Sequence, residues 1–304
     1  MDYAGSIAIA SAIRHREKRA FTFLGHNLYL VLHSLCIFLT WKIMMTYKAA
    51  LITGSADRLG RAMALELGRR GTNVVIHYSS SEEAAQDTVR KLTDLGVKAC
   101  AVQADLLDLK ACESLIDVAV HKIGSSLDVL INNASIFEYD NIETATPRTW
   151  DRHLKSNLQA PFILTQKFAE QAPKAIELSG ELNAQACIIN MVDQRVQKKT
   201  PEFMTYSIAK NALWSFSQTS AQALAPHIRV NAIGPGTTLI GSRQSQEHFE
   251  TQRKSTILQR GPNTDDIVRT MSYFLDSGAV TGQLLCVDGG QSMGWQTPDI
   301  LGVR

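Results

Sequence analysis

Between residues 49 and 287 the sequence switches period repeatedly, and that alternation restricts its fold more than any other feature. Short apolar runs at 49–53, 73–77, 99–103, 129–132, 188–192, 229–233 and 284–287 each read as a strand. Helical patterns lie between them: one reaching about Arg70, then 82–95, 109–123, 149–171, and a long one opening at Tyr206. Strands joined through helices of this length run parallel, and their near-continuous apolar character means burial on both faces. The expected fold is therefore α/β, a single doubly wound parallel sheet with helices on both faces, in three α/β/α layers. No repeat, linker or low-complexity segment interrupts residues 47–294, which read as one domain between an extension (1–46) and a short tail (295–304).

Composition excludes several classes of partner. The 31 basic and 29 acidic residues leave a net charge of +2, and no basic stripe carries interleaved aromatics, so no nucleic-acid partner is expected. Cys36, Cys100, Cys112, Cys187 and Cys286 are scattered, with neither metal-ligand spacing nor a disulfide framework. No metal is expected.

The first strand is followed by a turn containing Gly54, Arg58, Leu59 and Gly60, which leads into a helix. That context suits a dinucleotide pyrophosphate, because free backbone N–H groups and the positive helix end point at it. Gly54 permits the tight turn, and Gly60 lets the helix approach the sheet. At the end of the second strand a carboxylate would select a ribose lacking the 2′-phosphate. The chain offers His77, Tyr78, Ser79, Ser80 and Ser81 instead. These groups, with the Arg58 guanidinium, suit a phosphate dianion, so the expected cofactor is NADPH. Asp105, followed by Leu106, closes the third strand and can accept a hydrogen bond from adenine or cap a helix.

The fifth strand releases Asp193, and Tyr206 and Lys210 follow on one face of a helix. A neighbouring ammonium favours the phenolate, so the pair is expected to exchange a proton near neutral pH. Asp193 stands by as a second acid.

Gly54, Gly60, Asn132-Asn133-Ala134, Asn157, Tyr206, Lys210, Asn231 and Pro235-Gly236 occur in order, and together they resemble the short-chain dehydrogenase/reductase family. The resemblance covers about residues 47–294. It implies a Rossmann-type domain, a nicotinamide cofactor and a homotetramer. It casts Tyr206 as proton donor, Lys210 as holder of the nicotinamide ribose, and Asn157 as keeper of a relay water. Asn133, Ala134, Ser135, Pro235 and Gly236 are implied to border the cofactor. Two departures stand out: Asp193 takes the place of the family's serine, and Arg58 that of a glycine. Both are similar to the pteridine reductases and the related dihydromonapterin and dihydrofolate reductases. There, residues matching Ser135 and Phe137 bind and stack a flat pterin, which the resemblance extends to Asp193 and Tyr206 as substrate contacts.

The expected activity is NADPH-dependent reduction of a pterin or folate. The alternatives are a carbonyl reductase, such as a 3-oxoacyl carrier-protein reductase, and a catalytically idle NADPH-binding protein. Residues 239–260 are polar and can form either a lid over the substrate or an ordinary surface helix. In the extension, a basic cluster at 14–19 precedes a mostly apolar run over 20–41, about long enough to span a bilayer at about 1.5 Å per residue. As a signal-anchor it would send the domain outside, away from its nicotinamide cofactor. We therefore read Met44 or Met45 as the natural start, expect a cytoplasmic enzyme, and expect membrane contact only if the extension is retained.

Overall fold

The computed structural model describes residues 47–241 and 244–295, and the expectations for the extension, its start and the end of the tail lie outside them. Seven strands form an all-parallel sheet: β1 (Ala49–Ile52), β2 (Asn73–Tyr78), β3 (Ala99–Gln103), β4 (Val129–Asn132), β7 (Ala186–Met191), β8 (Ile228–Pro235) and β9 (Leu284–Val287). A separate antiparallel hairpin joins β5 (Ile176–Leu178) to β6 (Glu181–Asn183). The large sheet has the order β3-β2-β1-β4-β7-β8-β9. The chain reverses direction across the sheet between β1 and β4, where such folds open a crevice at the strands' carboxyl ends.

The helices are α1 (Arg58–Arg69), α2 (Glu82–Asp94), α3 (Leu109–Ile123), α4 (Pro147–Leu154), α5 (Ala160–Gln171), α6 (Met204–Leu224), α7 (Gln246–Lys254) and α8 (Thr264–Asp276). α1 packs against α2 and α8, while α3 packs against α5 and α5 against α6, which gives the two outer layers. The local causes are visible in α3. Asp108 caps its first turn, Gly124 ends it in the left-handed region, and Cys112, Leu115, Ile116, Ala119 and Ile123 form one buried stripe. β1, β4 and β7 are buried along their whole length, as their unbroken apolar runs require. Each fully buried Leu or Ile contributes about 1.5–3 kcal/mol. Arg229, buried in β8, donates to Tyr47 Oη and to the carbonyls of Phe274 and Leu275, so a cation closes the carboxyl end of α8.

Two elements differ from the sequence reading. The helix expected over 149–171 is divided by a π-turn, Lys155–Gln159, in which Ala160 N–H reaches back to Lys155 O. Pro161 has no N–H to offer residue 157, and the ladder widens there. The β5–β6 hairpin was not anticipated. Its turn residues Ser179 and Gly180 both have positive φ, but its strands are too short and exposed to show a period. No described helix is long and apolar enough to cross a membrane.

Candidate active site

Every segment that carries site chemistry leaves the carboxyl end of a central strand. After β1, Gly54 has a φ of +61°. At Gly60 a Cβ would stand 2.3 Å from Gly54 O and 2.7 Å from Asn133 Nδ2, so only glycine fits the floor of this turn. Asn133, just past β4, donates to the carbonyls of Thr53 (2.9 Å) and Gly54 (3.0 Å). Asn133 N and Ala134 N both donate to Thr53 Oγ1. The turn is thereby fixed at the amino end of α1, where Asp57 accepts from Arg58 N, and a helix amino end of this kind suits an anionic pyrophosphate.

His77 takes a different part from the one expected. It is buried, its Nδ1 accepts from Gly54 N (3.0 Å), and its Nε2 faces Ala104 O at 3.1 Å. Burial pushes its pKa down to about 4. His77 is thus a neutral buttress behind the glycine turn, with both ring nitrogens already engaged, and is not a phosphate ligand. Ser79, Ser80 and Ser81 are exposed and Tyr78 is half-buried beside them, with no carboxylate before Glu82. Asp105 accepts from Leu107 N and braces its own turn, whereas Asp108 caps α3. Leu106 belongs to the apolar core.

Arg58 opens α1 with φ at +56°. Its guanidinium donates to Ile240 O at 3.0 Å and reaches Leu239 O at 3.5 Å, in the segment after β8. β8 lies three strands beyond β1, on the opposite side from β2. The guanidinium is thereby engaged by main-chain carbonyls of that segment. Segment 237–241 continues into α7, which buries no residue and is tied back by Arg253 to Thr237 O and Gly261 O. Gly236 N–H is taken by Val287 O, which holds the end of β8 against β9.

Of the residues expected from sequence to do the chemistry, Asp193, Tyr206 and Lys210 lie together, whereas Asn157 spends both amide atoms on the backbone of Ile136. Tyr206 Oη donates to Asp193 Oδ2 at 2.9 Å, and Asp193 Oδ1 accepts from Arg195 N at 2.8 Å. Ser135 lies within hydrogen-bonding reach of the same phenol. Lys210, buried, donates to Met191 O at 2.7 Å, and its ammonium stands 5.8 Å from the Tyr206 ring centre. Burial and the Asp193 charge hold the Tyr206 pKa well above its ordinary value, so the expected lowering by Lys210 does not occur here. Burial raises Asp193 as well. It lowers Lys210 to about 8, against the pull of Asp193. Beneath the site, Asn132 on β4 donates to Asn190 on β7, which donates to Ser217 on α6, each at 2.8 Å.

Sequence reasoning singled out Phe137 and missed its aromatic neighbours. Phe137 stacks on Phe203 at 4.3 Å with only 10° between the planes, and meets Tyr206 edge-on at 4.7 Å. Tyr139 and the Arg195 guanidinium approach Phe203 at 5.3 and 4.9 Å. Phe203 occupies a left-handed position just before α6, which no spacing rule flags. Phe137 is 45% exposed.

The family model described as short chain dehydrogenase matches residues 48–251. The chain belongs to this family. As a short chain dehydrogenase it is an oxidoreductase. 3-Oxoacyl-[acyl-carrier-protein] reductase FabG of Staphylococcus aureus is 30% identical over 82% of this chain and 100% of its own length. Among solved structures, FolM alternative dihydrofolate reductase 1 of Brucella canis, complexed with NADP, is 38% identical with a TM-score of 0.75. It covers 84% of this chain and 98% of that one. The FolM structure of Brucella suis with NADP agrees, at 38% identity and a TM-score of 0.77 over 83% and 98%.

Proposed function

We propose that this short chain dehydrogenase is an NADPH-dependent reductase of pteridines, acting on a dihydropterin or dihydrofolate. The observation that carries the proposal is the Tyr206–Asp193 hydrogen bond with Phe137 and Phe203 stacked beside it. The likeness to two NADP-bound FolM dihydrofolate reductases supports it.

The residues present fit the cofactor. The glycine turn from Gly54 to Gly60, braced by Asn133, would hold the pyrophosphate, and Ser79, Ser80 and Ser81 the ribose 2′-phosphate. Asn133, Ala134, Ser135, Pro235 and Gly236 would border the nicotinamide half, and Lys210 would hold its ribose. When bound, NADPH supplies hydride to a ring carbon.

The chain supplies the proton. Reduction of the ring's C=N bond places hydride on carbon and requires a proton on the adjacent nitrogen. Tyr206 and Asp193 share a proton at Oη and Oδ2, and burial keeps it on the pair at neutral pH. Asp193 also offers an acceptor edge to ring and amino N–H groups, which a serine does less well. Phe137 and Phe203 present a flat apolar face for the ring, and Ser135 a hydroxyl beside it.

The alternative carbonyl reductase rests on the relationship to FabG. A carboxylate beside a carbonyl oxygen that is gaining negative charge opposes that reaction, whereas it suits an imine nitrogen that is gaining a proton. The test is NADPH oxidation with dihydrobiopterin, dihydrofolate and an acetoacetyl thioester side by side. Turnover of a pterin or folate supports the proposal, and turnover of the thioester alone overturns it.

A further inference from the structure

The segment after β4 alternates in a way that no helix or sheet imposes. Ser135, Phe137 and Tyr139 are exposed, while the residues between them are partly buried. Asn157, in the π-turn, exchanges two hydrogen bonds with the backbone of Ile136, at 2.9 and 2.8 Å. His153, four residues earlier and fully buried, accepts from Glu138 N at Nε2 over 3.1 Å. Asp140, 1% exposed, reaches α6. Its Oδ1 accepts from Thr205 N at 3.1 Å, its Oδ2 accepts from Thr205 Oγ1, and its carbonyl accepts from Met204 N.

That contact supplies something α6 lacks. Phe203, at its N-cap position, is left-handed and makes no side-chain capping bond. The cap comes from a residue 65 positions away. His153 closes the circuit, with Nδ1 at 2.7 Å from Thr205 Oγ1. Since Nε2 accepts from Glu138, Nδ1 carries the hydrogen and donates to Thr205, whose hydroxyl donates to Asp140. One buried chain thus joins the aromatic segment to the residue immediately before Tyr206.

We propose that His153 and Asp140 are positioning residues that hold the Ser135–Tyr139 face and Tyr206 in one fixed relation. The proposal rests on the pteridine reading only for the identity of the ring that both would meet. Neither residue touches the reacting atoms. They act by removing the relative motion of two elements that must both meet the substrate.

The test uses His153→Phe, His153→Gln and Asp140→Ala in the full chain. With dihydrobiopterin, His153→Phe and Asp140→Ala are expected to raise KM about tenfold and lower kcat about tenfold, with the NADPH Kd within about twofold of wild type. His153→Gln retains an acceptor and a donor and is expected to recover most of the loss. Amide hydrogen exchange gives a readout that needs no substrate. In His153→Phe, residues 136–140 and 204–207 are expected to exchange about tenfold faster together, with α1 and β2 unchanged. Unchanged exchange in both segments overturns the proposal, as does a Gln variant no better than Phe with NADPH binding equally lost. Failure of the wild type to reduce any pterin would overturn the functional reading, and exchange would still decide the linkage.

Discussion

Tyr206 and Asp193 are joined by a 2.9 Å hydrogen bond in which the phenol is donor and the carboxylate acceptor. Burial pushes both pKa values up, and the charge on Asp193 pushes Tyr206 further. The pair therefore keeps its proton through neutral pH and can release it only as negative charge or basicity develops beside it.

Replacing Asp193 is expected to separate proton delivery from cofactor binding. Asp193→Ser should depress pterin reduction by about 100-fold while leaving the NADPH Kd within about twofold. Steady-state kinetics and cofactor fluorescence titration read the two quantities. Equal turnover in the variant would remove Asp193 from proton transfer.

Lys210 sets an expectation for alkaline pH. Burial lowers its pKa to about 8, so the ammonium is lost as pH rises through that value. kcat/KM for the free enzyme is expected to fall above about pH 8. A pH–rate profile that stays level to pH 10 would show that the charge on Lys210 is not needed.

His77 sets one for acid stability. Its folded pKa of about 4 lies below the ordinary 6.5, so the unfolded chain binds the proton first. The contribution is fully present above pH 6.5 and is lost as pH falls toward 4, to a limit of about 3 kcal/mol. His77→Gln does not titrate. Urea unfolding at pH 5 and pH 7 is expected to show a smaller pH difference for the variant than for wild type, and an identical difference would place the titration elsewhere.

Arg58 and the serines after β2 are expected to behave differently. Arg58 bonds the carbonyls of the segment after β8, so Arg58→Ala should weaken NADPH and NADH alike. Ser80→Asp, by placing a carboxylate where the 2′-phosphate is proposed to bind, should cut the preference for NADPH over NADH by about tenfold or more. The ratio of kcat/KM for the two cofactors measures both. A loss confined to NADPH in Arg58→Ala would return that residue to the 2′-phosphate.

The sequence by itself determined the sheet and its chemistry-bearing ends. The apolar runs of β1, β4 and β7 were legible because burial on both faces leaves no polar positions to blur them. Gly54, Gly60, Asp193, Tyr206 and Lys210 were legible because turn geometry and helical spacing are local properties. Tertiary structure decided what those groups touch. Whether His77 faces a phosphate or Gly54, and whether Lys210 faces Tyr206 or Met191 O, depends on strands and helices distant in sequence. The cap of α6 by Asp140 and its link to His153 left no local trace, since a capping signal is sought beside the helix and this one arrives from another loop. Period and propensity are read along the chain, whereas a buried polar group takes whichever partner packing brings within about 3 Å.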